Sequence, residues 1–510
     1  MDKTDLGLVL IAVLVLGYTG YAIAQPFQSP GVGGGGGTNP GEPGLLSKPY
    51  AYMIYKEGNN VFASSGSTES TPQRLFSGTA ETVFDNVLSA TTTGTIFVKS
   101  AATAYSLTTS KTWKSNVNLV CEGFNAQITI DAGAIDLISI PDGASNILIQ
   151  NCYMRNYSIA VGSGIIATVG SVTALNVIHN FLVGSNGAVE TQSCSDCVID
   201  GNAIQATRTA ISLRSLFRTI ISDNMVLNTN DNCIDIGTVQ DVTVTGNICR
   251  DTVGTPTTIN GIYVDTVQGA LSITGNEIRN ILRNGIQLNT VTGVMSWVTI
   301  SGNTIIQPGQ VSGGDAGIYL FGTATTRIYN VTITGNTISH PGRQGILIEY
   351  STNIVVTGNI LNNGGTLSGA NGYGLRADQT DELVVTGNRA TGNSQYGIGV
   401  FSSSTNILVT NNDVRGNTVG GISISATTYM VAYNLGYATE NWGGTSVADG
   451  GTISHGLAGT PDSVTITCSV ASQMCSVTAV AATTFTVAIK TDTGAAGTTQ
   501  TVYWYAVFIP

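Results

Sequence analysis

Only 10% of the 510 residues are charged, so an acid or base that recurs in a pattern carries information. Glu190, Arg214, Asp235 and Asp265 recur at intervals of 21 to 30 residues, each within or just after a short apolar–x–apolar run. Corresponding places further along carry Tyr263, Gln287, Asn289, Tyr319, Phe321 and Glu349, then Leu347, Arg376, Asp378 and Phe401. Carboxylates and amides bond hydroxyl groups, and aromatic faces cover the C–H surface of a sugar ring. This set suits a polysaccharide. Asp235, Asp265, Glu190 and Arg214 are the candidate catalytic residues, and Tyr263, Tyr319, Phe321, Gln287, Asn289 and Glu349 the candidate binding residues. Two carboxylates one or two repeats apart stand roughly 5–10 Å from each other, the separation a glycoside hydrolase needs. A lyase instead wants a cation such as Ca²⁺ held by acids and a base to take the proton, and Arg214 is the basic candidate beside them. The competing account is that the acids form a solvated face that keeps a sticky protein soluble.

These residues need elements that place them side by side, and the repeat supplies them. VTVTGNI (242–248), LSITGNEI (271–278), VTISGNTI (298–305), VTITGNTI (331–338), IVVTGNIL (354–361) and LVVTGNRA (383–390) are copies of one unit. Weaker copies put asparagines at 151, 180, 202, 224 and 412, so that the series runs with gaps of 22 to 33 residues. A constant minimum with variable additions is the signature of a solenoid, in which every coil closes one cross-section and loops protrude. About half a coil earlier comes a second strand: CIDI (233–236), GIYV (261–264), GIQL (285–288), GIYL (317–320), GILI (345–348) and GIGV (397–400). Alternation puts the second and fourth residues inside and the third outside. The outward positions therefore share one face. The repeated Asn247, Asn276, Asn303, Asn336, Asn359 and Asn388 are expected to point inward and bond the coils above and below, a structural ladder. The preceding Gly supplies a backbone angle that a bulky residue resists. On the T-x-T strands, Thr243/Thr245, Ser272/Thr274, Thr299/Ser301 and Thr332/Thr334 form outward rows that give way to Val355/Thr357. Such rows also permit contact with ice or mineral, although threonine is simply a good outward strand residue.

The chain over about residues 75–436 resembles the right-handed parallel β-helix of the pectate-lyase-like superfamily, including its tailspike-like members. FSGTAETVFDNVLSA (76–90) is similar to the short amphipathic cap helix. GTIFVK (94–99), YSLTTS (105–110) and SNVNLVCEG (115–123) are similar to the family's opening strands, and residues 51–70 to a leader hairpin before them. The resemblance implies an all-β solenoid of about a dozen coils. It does not select an activity, because this fold carries lyases, hydrolases, epimerases, tailspikes and adhesins. NTNDNCIDIG (228–237) resembles the N-T-D and D-D-C-I blocks of β-helix polygalacturonases. By that likeness Asp231 and Asp235 carry the acids, but Asn230 and Asn232 stand where aspartates are expected and no H-G or R-x-K element follows. The tailspike likeness allows a homotrimer.

The ends complete the organisation. Leu6–Ala24 is uncharged and mostly apolar, long enough for a membrane anchor; Ala22-Ile23-Ala24 also fits a signal-peptide cleavage site. Residues 25–49 read as a Gly/Pro-rich linker, 50–115 as leader and cap, 116–440 as the β-helix, and 441–510 as a small antiparallel β-sandwich. The last of these resembles a C-terminal module of phage and archaeal surface fibres. Its His455 reads as a packing residue. The formal net charge of −11 argues against nucleic acid. Eight cysteines fit an oxidising compartment. Cys468–Cys475 and Cys121–Cys152 are candidate bridges. Cys194-x-x-Cys197 precedes a strand and reads as structural, and a zinc site lacks a second ligand pair, since the histidines are His179, His340 and His455. Asn156-Tyr-Ser and Asn330-Val-Thr fit the glycosylation acceptor pattern. The expectation is an exported or membrane-tethered protein of the cell or virion surface that recognises polysaccharide, without cofactor unless Ca²⁺ serves a lyase. A lyase or hydrolase and a purely structural spike are the alternatives.

Overall fold

The computed structural model describes residues 50–65, 74–131, 133–158, 164–184, 186–206, 208–252, 259–290, 295–309, 316–366 and 371–509. The expected membrane segment at 6–24 and the linker to 49 lie outside the described residues. Among those described, no helix is long and apolar enough to cross a membrane.

From Tyr105 to Arg389 the chain winds as a parallel solenoid, and one of its sheets contains 12 strands in strict sequence order. Each coil has the same plan. A G-I-x-V strand such as Ile262–Val267 is followed by a T-x-T strand such as Leu271–Thr274, then the Gly-Asn turn, then a short third strand such as Glu277–Ile281. The alternation expected from the sequence holds. Ile234, Ile262, Ile286, Ile318, Ile346, Leu375 and Ile398 pair in register and are fully buried, one above another. A single coil has no interior; stacking at about 4.8 Å per strand creates it.

The asparagine ladder is continuous from Asn180 to Asn434. At each step the Nδ2 of one asparagine donates to the Oδ1 of the next at 2.9–3.0 Å. The same amide also donates to a main-chain carbonyl of the preceding coil, as Asn303 does to Ile273. Two corrections follow. Asn151 is not a ladder member: it has φ +59° and takes the glycine's place, and Cys152 occupies the buried slot. The left-handed position does not require glycine either. Gly246 to Gly387 have φ of +63° to +67°, but His179, Asp223 and Asn411 hold the same conformation at +52° to +57°. Short polar side chains tolerate it by bonding locally.

At the N-terminal end the ladder is continued by a covalent bond. Cys152 is bridged to Cys121, 31 residues earlier, while its backbone N–H donates to Asn180. Removing this bridge in a Cys121→Ala/Cys152→Ala variant is expected to lower stability by about 3–4 kcal/mol, read as a shift of the denaturation midpoint. An unchanged midpoint would mean that the amide ladder alone holds the first coils. Cys194–Cys197 and Cys468–Cys475 are also bridged, the first fully buried, as a structural pair should be. Cys233 and Cys249 are buried free thiols, and burial followed by the neighbouring Cys233 pushes the Cys249 thiol well up.

The N-terminal end of the solenoid is covered. The leader hairpin Tyr52–Glu57/Asn60–Ser65 is present and joined by Arg74–Gly78. The cap helix spans Ala80–Ala90, shorter than the sequence suggested because residues 76–78 are strand. Thr79 caps it, its hydroxyl accepting from the Thr82 N–H. Val83, Phe84, Val87 and Leu88 form its buried stripe over the first coil. Lys111, only 2% exposed, reaches under the helix to Glu81 and Asp85. Lys114 donates to the last carbonyls of the helix, at Leu88, Ser89 and Thr91. After the final coil come two three-stranded antiparallel sheets. They enclose a core of their own that includes Phe485, Val487, Val502 and Trp504. His455 sits in that module fully buried, its Nδ1 accepting from Leu457 N–H and its Nε2 bonded to the Ala481 carbonyl. Packing is its role.

Candidate functional site

The outward residues of the G-I-x-V strands form the expected column. Glu190, Ser212, Asp235, Tyr263, Gln287, Tyr319, Leu347 and Arg376 pair in register from one coil to the next. A second column lies two residues further along: Asn289, Phe321, Glu349, Asp378 and Phe401. Arg214 and Asp265 extend it downward with Gly237 between them, because Leu213 pairs with Ile236 and Ile236 with Val264. A side chain at 237 would meet the Arg214 carbonyl at 2.2 Å, so only glycine fits this step of the floor. All the candidate residues named from the sequence are therefore brought onto one face.

What the sequence misjudged is their exposure. Asp235, Gln287, Asn289, Leu347 and Asp378 are each at most 9% exposed, so this stretch of the face is buried rather than open to solvent. The solvated-face account fails for them. Side chains beyond the repeat do the covering and holding. Asn232, Asn260 and Asn284 form a second amide ladder, the Nδ2 of Asn260 and of Asn284 each donating to the asparagine of the coil below at 3.1 Å. Its members reach into the groove: Asn284 donates to Gln287 Oε1 at 2.9 Å and Asn232 to Asp235 Oδ2 at 3.4 Å. Sequence reasoning read Asn232 as a lost catalytic acid. The available signal was the N-x-x-apolar spacing in NCIDI, NGIYV and NGIQL.

The lower end is the most charged. Asn186, Glu190, Arg208, Thr209, Ser212 and Arg214 line a pocket of about 130 Å³. Arg208, missed from the sequence, donates to Asn186 at 3.0 Å. Burial, then the nearby Asp136, raises the Glu190 carboxyl above its ordinary range, with Arg208 and Arg214 opposing. One coil up from Ser212, burial likewise raises Asp235, against the pull of Arg214, whose guanidinium lies 3.7 Å from Oδ1. Across the middle, Asn289 Nδ2 donates to the Tyr263 hydroxyl at 2.6 Å. Three buried oxygens there, Asp235 Oδ1, Asp265 Oδ1 and Asn289 Oδ1, have no hydrogen-bond donor. At the upper end the Tyr319 hydroxyl donates to Glu349 at 2.5 Å, and the Tyr319 and Phe321 rings lie 5.5 Å apart. Arg376 is held by Asp378 at 2.7 Å and sits over the rings of Tyr373 and Phe401.

Among the described residues no three His, Cys, Asp or Glu side chains converge to hold a metal. The positive charge next to Asp235 already belongs to Arg214.

Residues 260–435 match the family model described as a right handed beta helix region. Among solved structures, a point mutant of the tailspike protein of E. coli bacteriophage HK620, in complex with pentasaccharide, aligns at 12% identity with a TM-score of 0.50. The alignment covers 83% of this chain and 88% of that one. The A-module of mannuronan C-5 epimerase AlgE4 from Azotobacter vinelandii aligns at 14% identity and a TM-score of 0.44, covering 68% and 93%. The periplasmic alginate epimerase AlgG aligns at 11% and 0.38, covering 67% and 76%. No curated protein matches the chain.

Proposed function

We propose that this right-handed parallel β-helix binds a polysaccharide along the groove between Glu190 and Phe401, as a component of a cell envelope or virion surface. The observation that carries the reading is the in-register column of acids, amides and aromatic rings that runs along one face from Glu190 to Arg376 and Phe401. Sugar hydroxyls are donors of the right size and spacing to satisfy acceptors on adjacent strands. Rings of Tyr263, Tyr319 and Phe321 flank them and offer faces to the C–H surface of the sugar. The solved tailspike with its pentasaccharide indicates that a solenoid of this kind accommodates such a chain; the assignment here rests on this protein's own side chains.

The test is a glycan panel offered to the full chain, with bound and free polymer sized afterwards. Binding without shortening is expected. Asp235→Asn exchanges an acceptor for a donor, and Arg214→Ala removes the charge beside it; each is expected to weaken binding about tenfold or more. Failure of every acidic and neutral polymer to bind would remove the proposal. Binding should also tighten as pH rises through the raised ranges of Glu190 and Asp235, because only the ionised carboxylates accept from two sides. The sign for the unliganded fold is opposite. A carboxyl raised in the folded state holds its proton longer there than when unfolded, so stability falls as pH rises over that range. Asp235→Asn should flatten both profiles.

A second reading has one observation in its favour. Asp235, whose carboxyl burial raises above its ordinary range, and Asp265 stand on adjacent coils and two residues apart along the strand, about 8 Å between Cα positions. That matches an acid and base pair of an inverting hydrolase, whose carboxyls stand ~6.5–9.5 Å apart. Shortened polymer, lost in Asp235→Asn with binding kept, would replace the adhesin by the enzyme.

A further inference from the structure

The T-x-T face carries an outlier that the groove does not use. Along the edge of this face, at the turn into the T-x-T strand, most coils place one residue in the left-handed conformation. Asn116, Asn146, Asp196, Asp241, Asn330, Asn353 and Asn406 make up most of the column, with φ of +53° to +61°, and Ala174, Arg218 and Glu382 stand in it at +53°, +46° and +54°. Asparagine and aspartate tolerate the conformation, and Arg218 is held in it by a two-pronged pair with Asp196 at 2.6 Å. Trp297 stands in the same column at φ +62°, where a bulky side chain is strained. Nothing in the fold repays that strain. The indole is 66% exposed and contributes nothing to the interior. It also breaks an amide chain: Asn353 Nδ2 donates to Asn330 Oδ1 at 2.7 Å, and one coil below, the next acceptor in line would be residue 297. Strain kept at an exposed site without structural return points to a ligand.

The surroundings define which ligand. Trp297, Thr299, Asn330, Thr332, Asn353 and Val355 line a shallow depression of about 440 Å³. Thr299, Thr332 and Val355 are outward neighbours in register on three coils, so the floor is about 9.6 Å long and made of hydroxyls and methyls. One wall is an indole face and the two amides after it. No lining residue is charged. We infer that this depression is a second saccharide-binding site, specific for neutral sugar units: the indole takes the C–H face of a ring, and the Asn330 and Asn353 amides and Thr hydroxyls bond its equatorial hydroxyls. It lies on a different face from the charged groove and does not depend on the reading given to that groove.

Tryptophan emission gives a direct test. Trp113 and Trp504 are buried, and Trp442 is exposed. In a Trp442→Phe background, Trp297 is therefore the solvent-exposed indole. Full-length protein is titrated with soluble glucans, mannans and galactans. At least one is expected to blue-shift the emission and protect it from acrylamide quenching, and Trp297→Asn is expected to cut the affinity for it about tenfold or more. The same Trp297→Asn change should raise the thermal midpoint, since asparagine suits the conformation and extends the amide chain. Arg214→Ala should leave the Trp297 signal unchanged. The inference is overturned if no neutral polymer alters the emission, if Trp297→Asn binds as well as the parent or unfolds earlier, or if Arg214→Ala abolishes the signal.

Discussion

Asn303→Ala is expected to destabilise the solenoid by about 4 kcal/mol, the largest effect of any single amide removal we can name. Asn303 Oδ1 accepts from both the backbone N–H and the Nδ2 of Asn276, at 3.0 and 2.9 Å. Its own Nδ2 serves the Ile273 carbonyl at 3.0 Å and Asn336 Oδ1 at 2.9 Å. Alanine strands two donors and a carbonyl in a region that water does not reach, at roughly 1–3 kcal/mol each before relaxation. The ladder is also cooperative, since every link polarises the next. Chemical denaturation of the variant measures the loss. Asn353→Gly is the matched control: it removes an exposed amide bond at a left-handed position that glycine accepts, and should stay within about 0.5 kcal/mol. Equal losses in the two variants would show that burial of the ladder contributes nothing.

Lys111→Met should cost about 3–4 kcal/mol and act at one end of the molecule. The ammonium is almost wholly enclosed and bonded to Glu81, to Asp85 at 2.7 Å and to Thr109 Oγ1 at 3.0 Å. Removing one partner of an enclosed ion pair leaves the other charge poorly compensated. Burial by itself would raise the Glu81 carboxyl, but donation from Lys111, the Thr108 N–H and Thr109 brings it down to about 2. A carboxyl lowered in the folded state stabilises it above the ordinary value of 4.5 and loses that contribution as pH falls toward 2. The parent should therefore keep its cap in mild acid, and the variant should lose much of that protection. Hydrogen exchange over Ala80–Ala90 reports it: faster exchange in Lys111→Met at neutral pH, with the central coils unaffected. Unchanged exchange would mean that the apolar stripe of Val83, Phe84, Val87 and Leu88 holds the cap without the ion pair.

Lys111 also shows where reading the chain as a string stops. It sits in YSLTTSKTW, among strand residues, and nothing local says that a helix from residues 80–90 will close over it. Cys152 and Asn151 show a smaller failure of the same kind. The repeat was aligned one residue out of frame, because cysteine replaces the usual amide and a disulfide from the coil below replaces its bond. The second ladder of Asn232, Asn260 and Asn284 keeps a constant spacing to the strand but covers only three coils, and Asn232 also fits the acidic block of the polygalacturonase likeness.

The amino-acid order alone determined the solenoid, the inward column of Ile and Val, the Asn247–Asn388 ladder and the grouping of Glu190, Arg214, Asp235 and Asp265 on one face. Those features follow from strand alternation and a coil of constant minimum length with variable loops, which are local properties of the chain. Tertiary structure decided which outward residues are covered, which oxygens are left without donors and which tryptophan stands strained in the open. Those outcomes depend on segments about 22 or more residues apart meeting across coils, and no short-range periodicity encodes where a neighbouring loop will fold back.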